Sequence, residues 1–125
     1  MDCLKIPVAG TVRAGALTYA DEEIEEYLTL PLNDYGDGEY FALRIKGDSM
    51  IECGIFEGDI VILRRQAYAD DGDIVAARVD DEATLKRLMH KNNKIYLMPE
   101  NKNYKPIIVD KVAILGKVTG VYRTY

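Results

Sequence analysis

Two side chains in this sequence are of the right types to make a nucleophile and its base. Ser49 lies in the stretch Ile45-Lys46-Gly47-Asp48-Ser49-Met50. Gly47 tolerates positive φ and Asp48 can bond its own backbone, so the pair supplies turn chemistry and leaves the Ser49 hydroxyl beside free backbone N–H groups. Taken by themselves these residues also spell an ordinary polar turn, which is the commoner case. A serine hydroxyl is a weak nucleophile and needs a base within hydrogen-bond reach. Lys86 stands thirty-seven positions later, in Glu82-Ala83-Thr84-Leu85-Lys86-Arg87-Leu88-Met89. With a free pKa of about 10.4 it would be protonated at pH 7 and useless as a base. Burial in an apolar wall disfavours the ammonium and would make it serviceable. A lysine on a strand is ordinarily solvated or snorkels, so the role demands a particular environment.

The flanking segments must supply it. Phe41, Leu43 and Ile45 alternate with Tyr40, Arg44 and Lys46, the period of a half-buried strand that ends in the Gly47-Asp48 turn. Met50 to Ile55 reads as a short helix closed by Gly54, with its N-terminus at Ser49, where the dipole would favour an oxyanion. Glu57-Gly58-Asp59 is a turn, and Ile60-Val61-Ile62-Leu63 is a β-branched run read as a strand buried on both faces. Gly72-Asp73 opens a strand over Ile74 to Val79, and Asp80-Asp81-Glu82 turns it into a second arm, Ala83 to His90. Period two puts Thr84, Lys86 and Leu88 on one face of that arm and Leu85, Arg87 and Met89 on the other. Neither face is cleanly polar, so one of the two cations points inward.

Elsewhere the pattern is again short strands and turns. Ile6 to Val12 is a first strand, Arg13 to Ala16 has the small residues of a loop, and Asp21 to Tyr27 reads as a solvated helical turn or loop. Leu28 to Leu32 leads into the turn-rich Asn33 to Gly38. Lys91 to Lys94 is a hairpin turn, with Ile95 to Met98 pairing back. Pro99-Glu100-Asn101 and Tyr104-Lys105-Pro106 precede Ile107 to Val109, and Val112 to Tyr122 is a last long strand broken at Gly116 and Gly120. The expected fold is all-β, a short-stranded and partly closed barrel. His90, the only histidine, borders a turn and is read as a surface residue, so a Ser-His-Asp arrangement lacks a member.

A length of 125 residues fits one domain with its own core. No apolar run approaches the roughly eighteen residues needed to span a bilayer, and Met1 to Lys5 lacks the pattern of a signal peptide, so a cytoplasmic, non-membrane protein is expected. Cys3 and Cys53 have neither disulfide-framework nor zinc spacing, and no metal or cofactor is expected. The net charge is −5, whereas phosphate backbones attract clustered Lys and Arg. The chain is a poor DNA binder as it stands, and no helix-turn-helix pattern is visible.

Gly47-Asp48-Ser49-Met50, Gly54-Ile55-Phe56-Glu57-Gly58-Asp59, Gly72-Asp73-Ile74-Val75-Ala76-Ala77 and Ala83-Thr84-Leu85-Lys86 together resemble the C-terminal self-cleaving domain of LexA-type repressors, shared with UmuD-like mutagenesis proteins and phage repressors. The resemblance runs from about Ile6 to Arg123. It implies a Ser-Lys peptidase with Ser49 as nucleophile, Lys86 as base and the backbone N–H groups of Asp48 and Ser49 as the oxyanion hole. It places the bond to be cut at Ala14-Gly15, with Val12 as the apolar anchor upstream. The thirty-three residues between Gly15 and Ser49 are ample tether for that bond to reach Ser49 of the same chain. The implied division is a cleavage segment at about 6–20 and a catalytic core at about 39–125. Implied partners are a second copy in a homodimer through the last strand, the RecA filament on single-stranded DNA as stimulus, and operator DNA through an N-terminal helix-turn-helix that is absent here. Within the same fold, a UmuD-like factor or phage repressor stays open. A signal peptidase shares the serine and lysine logic but would need a membrane anchor. The alternative of a different class is a non-catalytic dimerisation module.

Overall fold

Alternating side chains in two adjacent strands determine where the core lies. In β3 (Tyr40–Arg44), Phe41 and Leu43 enter one buried cluster while Tyr40 and Ala42 enter a second on the opposite face. Its neighbour β4 (Ile60–Arg65) does the same with Val61 and Leu63 against Ile60 and Ile62. The unbroken β-branched run at 60–63 is therefore covered on both sides, as expected from its composition. The computed structural model describes residues 3–11, 24–31, 35–80 and 82–125.

The remaining strands are β1 (Cys3–Thr11), β2 (Ile24–Pro31), β5 (Ile74–Val79), β6 (Glu82–Lys91), β7 (Lys94–Met98), β8 (Ile107–Val109) and β9 (Ala113–Tyr122). They form one sheet in the order β2-β1-β3-β4-β9-β5-β6-β7-β8. All neighbours are antiparallel except β1 and β3. The all-β expectation holds, and the sheet is open, with β2 and β8 at its ends. Among the described residues no helix is long and apolar enough to cross a membrane.

Three local expectations are corrected. Ile24 to Tyr27, read as part of a helical turn or loop, is the first half of β2 and pairs along β1; partners across a hairpin outweigh the run of acids, which β2 tolerates because Glu26 and Tyr27 face water. The helix expected over Met50 to Ile55 is a single 3-10 turn, Ile51–Cys53, whose N-cap is Met50 and not Ser49, and which Gly54 closes at φ 86°. The last strand is continuous through Gly116 and Gly120. Its irregularities are bulges, where Thr119 has no partner on β4 and Leu115 none on β5. A bulge bends and twists a strand without ending it.

Those bends carry a structural consequence. From β3 to β6 the sheet crosses four strand spacings, about 19 Å if flat at ~4.8 Å each. Yet Phe41 and Leu43 of β3 share one cluster with Ala83 and Leu85 of β6, so the sheet is curled tightly about that cluster. Gly116 sits at the crossing: a Cβ there would lie 2.8 Å from the Arg64 carbonyl oxygen and 2.9 Å from Phe41 Cε1. Gly116→Ala is expected to lower stability by about 1–3 kcal/mol through overpacking. Urea unfolding of the two proteins side by side tests this, and an unchanged midpoint would show that the close approach is not required.

Candidate active site

The turn after β3 is pinned from several directions before it reaches Ser49. Ile45 N–H donates to the Asp59 carbonyl at 2.8 Å and Gly58 N–H to the Ile45 carbonyl at 2.9 Å, which ties its two ends together. Gly47 takes φ 90°, the left-handed region expected of it, and its N–H donates to Glu57 Oε1 at 2.8 Å. Asp59, buried, anchors the base of the turn by accepting from Phe56 N–H and from the Arg123 guanidinium, whose hydrogen bond holds the Asp59 carboxyl below the usual range.

Lys86 comes from the other side of the curl. Strand β7 pairs with β6 only from Arg87 onward, so the first half of β6 forms a wall of the cleft that the Ser49 turn faces. The lysine is 7% exposed, and its Nζ lies 3.1 Å from Ser49 Oγ, 2.6 Å from Thr84 Oγ1 and 3.1 Å from the Leu85 carbonyl oxygen. Among the described residues no carboxylate forms an ion pair with it. Burial therefore acts without a counter-charge and pushes the Lys86 pKa below its ordinary value. Deprotonated, the amine would have two N–H donors and one lone pair; with the Leu85 carbonyl and Thr84 Oγ1 accepting, the lone pair would be left for the Ser49 hydroxyl. The inward cation of β6 is thus Lys86. Arg87 leaves in the other direction, donating to Glu100 Oε1 at 2.6 Å and to the Gly72 carbonyl at 2.5 Å.

The cleft encloses about 220 Å³ between the Ser49 turn and β6, with Tyr104 at its lip. The Tyr104 hydroxyl donates to the Asp48 carboxylate, which pushes the phenol pKa up. Neither Asp48 N–H nor Ser49 N–H donates to another backbone group among the described residues. Ser49, Lys86 and Asp48 are thus together, whereas Val12, Ala14 and Gly15 lie outside the described residues. His90 is exposed and bonded to Asp71, away from this constellation, as its place beside a turn suggested. Sequence reasoning placed Thr84 on the face of Lys86 without giving it a role, and missed the roles of Asn101 and Tyr104. Asn101 and Tyr104 arrive from a loop more than fifty residues away in sequence, with no period to reveal them.

Residues 7–119 match the family described as peptidase S24-like. The chain is 51% identical to a LexA repressor of Caldicellulosiruptor saccharolyticus over 96% of its own length and 59% of the relative's. It is 45% identical to a LexA repressor of Clostridium acetobutylicum over 99% of its length and 61% of the relative's. With a LexA repressor of Geotalea uraniireducens the identity is 51%, over 95% and 61%. The chain spans about three fifths of the length of the curated relatives it matches.

A buried lysine with a depressed pKa also leaves a mark on stability. Between its folded and unfolded pKa values the unfolded chain binds more protons, so stability rises with pH through that window. Below the folded value the full cost of burying the ammonium is present, and above about 10.4 it is gone. Lys86→Met is expected to be more stable than the parent at pH 7, with an advantage that shrinks as pH rises towards 10.4. Denaturant midpoints taken at intervals from pH 7 to 10.5 check this, and an advantage independent of pH would mean that Lys86 is not desolvated.

Proposed function

The chain belongs to the peptidase S24-like family, and from that premise we propose that it is the self-cleaving domain of a LexA-type repressor, a serine endopeptidase with a Ser49-Lys86 dyad. The observation that carries this reading is the 3.1 Å contact between Lys86 Nζ and Ser49 Oγ, made by a buried lysine with only neutral partners. That arrangement serves the two demands of the chemistry, placing the base within reach and disfavouring its protonated form. The repressor names of the relatives favour this branch over a mutagenesis factor or a phage repressor.

In the proposed reaction the Ala14-Gly15 segment docks in the cleft with the Ala14 carbonyl carbon against Ser49 Oγ. Lys86 takes the hydroxyl proton as Oγ attacks, and the charge that develops on the carbonyl oxygen is met by the Asp48 and Ser49 N–H groups. The tetrahedral intermediate collapses with breakage of the Ala14-Gly15 bond, and Lys86 delivers its proton to the departing Gly15 amine. Water, deprotonated in turn by Lys86, releases Ala14 from the ester. Val12 anchors the segment upstream. Cleavage at this place separates whatever precedes Ala14 from the catalytic core, so a DNA-binding segment joined there would lose its attachment to the dimerising part. Consistent partners are a second copy of the chain, operator DNA held by such a segment, and a RecA filament. The filament would act by binding the docked state more tightly, since a partner shifts an equilibrium only by that preference.

The test is incubation of the purified chain near pH 10, where lysine loses its proton without help, followed by intact mass. The parent is expected to yield two fragments divided between Ala14 and Gly15. Ser49→Ala should give none, and Lys86→Ala should be slower by at least about a hundredfold. An intact parent, or cleavage that survives Ser49→Ala, would remove the proposal.

A further inference from the structure

Only three polar or charged residues are buried among the described residues: Asp59, Lys86 and Asn101. The first two have been accounted for by Arg123 and by Ser49. Asn101 is 4% exposed and spends its whole amide on the backbone. Its Oδ1 accepts from Asn103 N–H at 2.9 Å, which fixes which end of the amide points the other way, and its Nδ2 donates to the Asp48 carbonyl at 2.8 Å. The next residue back repeats the grip, Glu100 N–H donating to the Ser49 carbonyl at 2.8 Å.

The Asp48 carbonyl and the Ser49 N–H belong to one peptide plane. No cis bond occurs among the described residues, and in a trans peptide these two groups point in opposite directions. An Asn101 amide that holds the carbonyl on one side thereby aims the Ser49 N–H to the other. With Glu100 holding the following plane, both peptides that flank Ser49 are fixed, and so is the direction in which its Cα–Cβ bond leaves the backbone. We propose that Asn101 is a positioning residue that orients the Ser49 N–H as an oxyanion donor and sets the Ser49 rotamer base. This rests on the Ser49-Lys86 peptidase reading above. Asn101 touches neither the reacting atoms nor Lys86; it acts through one carbonyl. Preorganised donors matter because they need no reorientation as charge develops on the substrate oxygen.

The experiment is the rate of self-cleavage against pH, from 7 to 10.5, for the parent, Asn101→Leu and Asn101→Asp, each below its melting temperature. Leucine keeps the volume without a donor. Aspartate keeps the bond from Asn103 N–H but has no proton for the Asp48 carbonyl. Both are expected to lower the plateau rate by on the order of tenfold to a hundredfold, below the full loss of an oxyanion donor, with the leucine variant keeping the parent's pH midpoint. The split between plateau and midpoint is decisive because the midpoint reports the burial of Lys86. A general loosening of the site would rehydrate Lys86 and move the midpoint up towards 10.4. A leucine variant with an unchanged plateau, or with a raised midpoint, overturns the inference while leaving the peptidase reading intact. If neither variant folds, Asn101 is a folding residue and the inference falls. A parent that is not cut removes the peptidase reading and this inference with it.

Discussion

The site depends on keeping one amine dry. Lys86 is enclosed with a hydroxyl on Thr84, a backbone carbonyl at Leu85 and the hydroxyl of Ser49, and none of these carries charge. A carboxylate at the same distance would stabilise the ammonium and raise the pKa, which would defeat any use of the amine as a base. The neighbouring charges in the chain are instead spent on each other: Arg87 on Glu100, Arg123 on Asp59. Sorting opposite charges into pairs that exclude Lys86 is therefore as much a part of the site as the contact with Ser49.

Keeping the amine dry is a problem for the whole sheet. A flat sheet would hold β3 and β6 far apart, and the curl that brings them round one cluster depends on bulges at Leu115 and Thr119 and on the absence of a side chain at Gly116. These features all lie on β9, the strand between β4 and β5. Gly116 leaves room beside its own backbone for the Phe41 ring and the Arg64 carbonyl, and Met50 and Ile55, just beyond the Ser49 turn, join the cluster that includes Phe41 and Leu85.

What could be read from the sequence follows from which interactions are local. The existence of the strand before Ser49, the doubly buried run at 60–63 and the shared face of Thr84 and Lys86 were legible, because each is written in alternation or in an unbroken apolar run along a single segment. The strand before Ser49, expected half-buried, is covered on both faces because Tyr40 and Ala42 enter a second cluster. The choice of Lys86 over Arg87 as the inward cation was not decided by alternation and needed the resemblance. The acids at 21–26 pointed away from a strand because composition reports solvent exposure, and an exposed strand at the end of a sheet is solvated too. Gly116 and Gly120 suggested interruptions, whereas the chain uses them for close approach within a continuous strand. Asn101 was given no role, since nothing in Pro99-Glu100-Asn101 announces that its amide will meet a carbonyl from residue 48.

The contacts around Ser49 and Lys86 form a closed circuit. Ser49 meets Lys86 through their side chains; Lys86 is bonded in sequence to Arg87; Arg87 pairs with the Glu100 side chain; and the Glu100 amide returns to the Ser49 carbonyl. Ser49 and Lys86 come from elements with no strand pairing to each other, so their separation would otherwise depend on the curvature of the sheet. A ring of short contacts converts that soft variable into a fixed one, because opening the gap between Ser49 and Lys86 must also stretch the bond from Arg87 to Glu100 or the one from Glu100 to Ser49. The Arg87–Glu100 pair is about a third exposed, so its worth to global stability is small. Its worth to the site is geometric, and the proposed attack by Ser49 would depend on that geometry, since a misplacement of about 1 Å can cost on the order of a hundredfold in rate.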